Sequence, residues 1–244
     1  MKLYLNVPYK EKDEAKSLGA KWNAKLKKWY VDTIPEEYVK FSKWILKDID
    51  ETFIATEYLF IIEGKQRCWK CHKMTKVVGL GISEYTHLYG EADDPQYELS
   101  DDYTDIDEEE ELHLAWVDQE NDIPPKLLKY LKENYSVKTS YSKTIGDKCF
   151  ANHCDCCGSL QGNWFLFDEP SSPLSSCVEG DELINRMRNL KIKGIPIEDD
   201  LQLNWNIGFC SNDYAYFKYG KFEEIVLSNE PNNSYISYEE LYET

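Results

Sequence analysis

Hydrophobic and polar positions alternate at the start of the chain. Leu3, Leu5 and Val7 alternate with Lys2, Tyr4 and Asn6, the period of a half-buried strand, and Pro8 ends it. Glu11 to Leu18 predicts a short helix with Ala15 and Leu18 inward and Gly19 as its stop. Lys21 to Val31 predicts a hairpin with a lysine-rich turn at Lys25 to Lys28. Pro35 opens a second helix, on which Tyr38, Phe41, Trp44 and Ile45 share one face. Further on, Phe53 to Ile62, Lys76 to Ile82 and Leu112 to Val117 predict strands. Pro124 and Pro125 open a helix through Tyr135, with Leu127, Leu128 and Leu131 on one side. Asn163 to Phe167 predicts a strand, Glu182 to Leu190 a helix, and Leu201 to Phe209 and Tyr214 to Tyr219 two more strands. The pair Gly79 and Gly81 lacks the third glycine of a phosphate-binding turn and predicts a bulge or turn.

These elements give an α+β chain in three parts. Residues 1–48 form a small N-terminal α+β module. Residues 49–177 form a mainly β, zinc-ribbon-like body with a few helices and an acidic insertion at 91–111. Residues 178–244 form a C-terminal α+β extension with no chemical signature. No apolar run approaches the roughly 18 residues of a membrane-spanning helix, and the start has too short an apolar stretch for a signal peptide. The expected location is the cytoplasm, with no membrane partner.

Charge divides the chain. The net charge is −17, yet residues 1–48 carry 11 lysines against 7 acidic residues. Between Lys76 and Lys126 there is no Lys or Arg, and 16 acidic residues fall in that window. Such a surface repels phosphate backbones and attracts basic partners. Only the N-terminal module has the electrostatics for nucleic acid. Within it Lys21, Trp22, Lys25, Lys27, Lys28, Trp29 and Tyr30 interleave cations with rings, the mixture that binds single strands by stacking and phosphate attraction. A pair of core tryptophans with solvated lysines would leave the same pattern. The densest acidic run, Asp101, Asp102, Asp105, Asp107, Glu108, Glu109, Glu110 and Glu111, suits a docking surface for a basic protein or a solvated loop. It lacks the glycine of a calcium loop.

Cysteine carries the strongest chemical signal. In a reducing compartment eight cysteines point to metal rather than disulfides. Cys68-Trp69-Lys70-Cys71 and Cys154-Asp155-Cys156-Cys157 are both CxxC, and Gly158 follows the second. Four thiolates in two such turns suit one tetrahedral zinc ion with no open coordination position, hence a structural Zn2+. The 82 residues between the pairs, 72–153, are long for a simple ribbon finger and require a folded unit of their own. His72 and His153 sit beside these ligands and read as half-exposed loop histidines, with replacement of a thiolate or a hydrogen bond to the shell as the alternatives, and Cys156 could swap with Cys157 as a ligand. Cys149, Cys156, Cys177 and Cys210 read as small buried hydrophobes. No GxxxxGK[ST], GxSxG or HExxH occurs, and no catalytic residue is assigned.

Two segments resemble known families. Tyr4 through Trp22, with the run Leu18-Gly19-Ala20-Lys21-Trp22, and then Lys28-Trp29-Tyr30-Val31, resemble a small bacterial domain of unknown function, here over residues 2–46, that occurs fused to plasmid primase or TraC-like modules. The same pattern is distantly similar to the HARP-type domain of annealing helicases, which implies binding to DNA structures. The segments around Cys68 and Cys154, within about residues 55–170, resemble uncharacterised bacterial proteins with paired zinc knuckles, which implies a zinc-bearing fold and no activity. The expected function is therefore a non-enzymatic, zinc-stabilised binding protein that recognises nucleic acid, or a protein associated with it, through the N-terminal module. The alternative is an acidic immunity or inhibitor protein that binds a basic toxin or nuclease.

Overall fold

The computed structural model describes residues 1–47, 49–91, 94–100, 110–167, 169 and 171–243. The N-terminal alternation forms a three-stranded antiparallel sheet in which β3 (Lys28–Asp32) lies between β1 (Lys2–Leu5) and β2 (Lys21–Asn23). One helix, α1 (Lys12–Ser17), covers it. The segment opened by Pro35 is a 3-10 helix over Pro35–Phe41 before it becomes the single turn α2 (Ser42–Ile45). Leu3, Leu5, Trp29 and Val31 pack with Tyr38, Phe41, Trp44 and Ile45 in one buried cluster, which Ile54 and Leu88 complete.

The predicted strand from Phe53 to Ile62 is two strands. β4 (Glu51–Ala55) and β5 (Tyr58–Arg67) separate at Thr56 and Glu57 and enter different sheets. β4 joins β7 (Tyr85–Glu91), β8 (Asp94–Leu99) and β13 (Leu201–Leu203) in a four-stranded antiparallel sheet ordered β13-β4-β7-β8. β5 lies inside a six-stranded sheet with β6 (Met74–Ile82), β9 (His113–Trp116), β12 (Lys191–Pro196), β14 (Asn206–Ile207) and β15 (Lys221–Glu224), ordered β14-β9-β6-β5-β12-β15. All its pairs are antiparallel except β12 with β15. Residues 191–196 and 221–224 are thus built into the same sheet as the first cysteine turn.

Leu59, Phe60, Ile61 and Ile62 are all buried because both faces of β5 are covered, which turns alternation into a continuous apolar run. Leu59 and Ile61 share a cluster with Leu127 and Leu131 of α3 (Pro125–Asn134) and with Val137 and Phe150 of the hairpin β10 (Val137–Ser142) and β11 (Asp147–Asn152). Phe60 and Ile62 share another with Leu166 of α4 (Asn163–Phe167), Met187 of α5 (Gly180–Met187) and Tyr216 of α6 (Ala215–Tyr219). A last short helix, α7 (Tyr238–Tyr242), carries a capping box at Ser237.

Two expected strands are helices. In α4, Leu166 and Phe167 are buried while Trp164 and Phe165 stay exposed, which is one-sided helical burial. In α6, Ala215 and Tyr216 face the core. Short apolar runs have no periodicity long enough to distinguish the two. Gly79 and Gly81 are not a bulge or turn but regular ladder positions of β6. A Cβ at Gly79 would lie 3.0 Å from the side chains of both Leu114 and Phe167, and one at Gly81 would lie 2.9 Å from the backbone carbonyl of His113, so close packing against the strand favours glycine at both. Of the acidic run, Asp101, Asp102, Asp105, Asp107, Glu108 and Glu109 lie outside the described residues; Glu110 is exposed and Glu111 partly so. Among the described residues no helix is long and apolar enough to cross a membrane.

The seam between the N-terminal sheet and the body holds a buried carboxylate. Tyr38 donates its hydroxyl to Asp200 Oδ2, and the amide of Asp200 donates to the Lys2 carbonyl (2.9 Å). Oδ1 of Asp200 is buried with no hydrogen-bond partner among the described residues. Burial, partly offset by the Tyr38 bond, raises this carboxyl from 3.8 to about 6. A carboxyl that holds its proton more tightly when folded stabilises the fold below its unfolded value. That contribution is lost as pH rises from 3.8 to about 6. Asp200→Asn is therefore expected to remove up to about 3 kcal/mol of pH-dependent destabilisation across that window. Urea midpoints of the two proteins compared between acid and neutral pH would measure it. Parallel curves would contradict it.

Candidate metal centre

Two distant turns have the same backbone geometry. The first closes β5 onto β6. There the His72 amide donates to the Cys68 carbonyl (2.9 Å) and the Cys68 amide to the Lys73 carbonyl (2.9 Å). The second follows β11. There the Gly158 amide donates to the Cys154 carbonyl (2.9 Å) and the Cys154 amide to the Ser159 carbonyl (2.8 Å). The residue after the second cysteine has positive φ in each, 59° at His72 and 67° at Gly158. The turns are thus structural equivalents, with glycine at the left-handed position of one and histidine at that of the other. Replacing His72 by glycine should relieve left-handed strain and raise stability by up to about 1 kcal/mol, read from the denaturation midpoint, with metal content unchanged. Loss of metal would instead make His72 a ligand.

The turns bring Cys68, Cys71, Cys154 and Cys157 together, all four sulfurs within 4.8 Å of one another. Cys68 lies 3.7 Å from Cys157 and Cys71 lies 3.6 Å from Cys154. A tetrahedron with metal–sulfur bonds of roughly 2.3 Å has edges of about 3.8 Å, so the four thiols can hold a metal ion with little movement. Surrounding donors suit thiolates. The Cys156 amide approaches Cys154 Sγ (3.4 Å), Gln161 Nε2 approaches Cys68 Sγ (3.5 Å) and the Ser159 hydroxyl lies 3.2 Å from Cys157 Sγ. Burial acts to raise the Cys68 thiol, but the amides of Cys71 and Lys70 and the neighbouring thiols outweigh it and lower the group to about 6. The Lys73 amide acts to lower Cys71, but burial and the other thiols push it up to about 12. The protons of such a cluster leave one at a time, and only a cation at its centre favours four thiolates together.

The neighbouring candidates have other tasks. His153 is buried; its Nδ1 donates to the Ala151 carbonyl (2.9 Å) and its Nε2 accepts from the Ser140 hydroxyl (2.9 Å). Cys156 is exposed and outside the group of four. Cys149 is buried as a small hydrophobe, whereas Cys177 is exposed and Cys210 only partly buried.

Asp155, between the two clustered cysteines of the second turn, has a role that spacing did not suggest. Its Oδ2 accepts from the Thr75 hydroxyl and the Lys76 amide (both 3.0 Å), its Oδ1 accepts from the Ser136 hydroxyl (2.7 Å), and its own amide donates to Thr75 Oγ1 (2.9 Å). These bonds outweigh partial burial and hold the carboxyl below its usual range. The carboxylate ties the second turn to β6, the strand that leaves the first.

The N-terminal cations and rings are only partly a surface. Trp29 is a core residue, and Trp22 is half exposed with its ring 5.4 Å from that of Trp29. Lys21, Lys25 and Lys27 are exposed, although Lys25 pairs with Glu239 and Lys21 with Asp32. Lys28 turns toward the C-terminal segment, its Nζ 5.4 Å from the Tyr238 ring centre, and Tyr30 packs 5.7 Å from Tyr4 of the neighbouring strand. A second cationic stretch lies in the body, against the acidic average of the chain. Lys65, Arg67, Lys70, Lys73 and Lys76 frame the first cysteine turn, all exposed, with no acidic residue between them. Trp69 stands 66% exposed among them, beside a recess of about 280 Å³ lined also by Gln66, Gln161 and Phe165.

Comparison with known proteins reaches only the N-terminus. Two proteins named DNA primase TraC, both from Escherichia coli, are 56% and 51% identical to this chain over 41 residues. That stretch is 17% of this chain, and it spans 3% of the first relative and 4% of the second. No solved structure matches the chain. Residues 2–45 match the family described as Domain of unknown function (DUF5710).

Proposed function

We propose that this is a non-enzymatic, zinc-stabilised binding protein whose ligand is single-stranded nucleic acid. The all-sulfur donor set with tetrahedral spacing favours zinc, in a closed, structural, zinc-ribbon-like site. The observation that carries the binding reading is Trp69, exposed at the tip of the first turn among five exposed cations on a chain of net charge −17. Single strands bind where rings accept stacked bases and cations track the phosphates. The acidic remainder of the chain repels phosphate elsewhere and so confines contact to the cationic surfaces. The N-terminal likeness to proteins named DNA primases agrees with a setting on DNA. Exposed Trp22, Lys21 and Lys27 provide a second contact for a longer strand.

Fluorescence anisotropy with a labelled oligothymidylate at low salt tests this. Base–aromatic stacking contributes about 1–3 kcal/mol per base, so Trp69→Ala should weaken binding about fivefold or more, and added salt should weaken it further. Binding indifferent to both would refute the assignment.

A further inference from the structure

The recess beside Trp69, about 280 Å³, draws its two rings from both sides of the metal centre. Trp69 lies between Cys68 and Cys71, and Phe165 lies on α4, after the second turn. They are 66% and 56% exposed, and among the described residues neither stacks on another ring. Exposed apolar surface gathered at one recess marks a place where something binds. The indole is held by its edge, since its Nε1 donates to the Leu160 carbonyl (2.8 Å). The polar lining is oriented as well. Gln161 is 1% exposed and donates its Nε2 to the Ser159 carbonyl (2.7 Å) and to Cys68 Sγ (3.5 Å). Its Oε1 is therefore the acceptor for Gln66 Nε2 (3.0 Å), which fixes that amide too. Gln66 is left with one amide hydrogen and its Oε1 uncommitted among the described residues, and that oxygen is not buried. An acceptor beside a donor is the pattern with which a glutamine pairs with adenine. Charge across the recess is uneven. Arg67 lines it beside exposed Lys65 and Lys70, whereas on the other side Glu169 accepts from the Ser171 hydroxyl and from Trp164 Nε1 (both 3.2 Å).

We propose that this recess takes one base out of the bound strand, an adenine, which stacks on Trp69 and Phe165 and donates its amino N–H to Gln66 Oε1 while its phosphate lies on the Arg67 side. The proposal rests on the single-strand reading of this surface and adds to it a second ring, a reading group and a base preference. A purine gains over a pyrimidine because two fused rings cover more of each aromatic face. The amino group counts because a base without a donor leaves Gln66 Oε1 unpaired inside the contact. In adenine a ring nitrogen sits beside the amino group and accepts the remaining Gln66 hydrogen.

Fluorescence anisotropy on the full-length, metal-loaded protein tests the proposal. The probes are labelled oligothymidylates of one length that carry thymine, adenine or unsubstituted purine at one internal position. The adenine strand should bind about fivefold tighter than the all-thymine strand, with the purine strand, which lacks the amino group, in between. Gln66→Leu should erase the difference between adenine and purine. Phe165→Ala should weaken the adenine strand about fivefold or more and remove its advantage over thymine, while circular dichroism shows the protein still folded. Trp164→Ala, also exposed but outside the recess, should change no strand by more than about twofold. Equal affinity for the adenine and all-thymine strands, an adenine–purine difference that survives Gln66→Leu, or indifference to Phe165→Ala would each overturn the base site and leave single-strand binding through Trp69 standing. Failure of every strand to bind would overturn both.

Discussion

Cys154→Ser is expected to lose its metal and unfold the body. A serine hydroxyl is a poor substitute for thiolate, and a three-sulfur remnant binds zinc weakly. Structural zinc contributes about 10–16 kcal/mol in small zinc-dependent domains, comparable to the entire stability of an ordinary protein at about 5–15 kcal/mol. The ion proposed here would join the β5–β6 turn to the turn after β11, segments separated by 82 residues. Elemental analysis should show the metal content of the variant near zero, and its circular dichroism should lose the cooperative melt of the parent. Cys156→Ser, inside the same turn but exposed, should change neither. Equal behaviour of the two variants would contradict the assignment of ligands.

Asp155→Ala is expected to cost about 2–4 kcal/mol while metal binding persists. The substitution removes three hydrogen bonds to a carboxylate, and charge-assisted bonds contribute about 1.5–3 kcal/mol each before compensation by water. Ser136 is exposed and regains water readily. Thr75 is 2% exposed and loses the acceptor for its hydroxyl to Asp155, so most of the penalty falls there. Asp155→Asn should cost less, since an amide oxygen still accepts, without the charge. Urea denaturation of the zinc-loaded proteins measures both. A change below about 0.5 kcal/mol for the alanine variant would mean that the two turns are held together by the metal alone.

Much of this molecule was legible from local pattern where that pattern had one interpretation. The alternation at Leu3, Leu5 and Val7, the helix after Pro124 and the paired CxxC turns each appear where their periodicity or spacing places them. Legibility failed where tertiary packing decides. Thr56 and Glu57 divide one apolar run between two sheets, and Asn204 and Trp205 divide another. Gly79 and Gly81 look like a turn in isolation and are strand positions because Leu114, Phe167 and the His113 carbonyl press on them. Trp29 looks like a stacking platform and is core, since β3 is the central strand of its sheet. Asp155 and Asp200 gave no signal at all, because their partners are 19 to 80 and 162 residues away in sequence. The cations from Lys65 to Lys76 were visible in the letters and were obscured only by averaging over the acidic chain.

The most direct test of a structural zinc centre is X-ray absorption at the zinc edge on the purified full-length protein, with the metal quantified in the same sample. The account predicts one zinc per chain surrounded by four sulfurs at about 2.3 Å and no lighter ligand. A protein that is compact and metal-free, or a zinc shell containing nitrogen or oxygen, would contradict it.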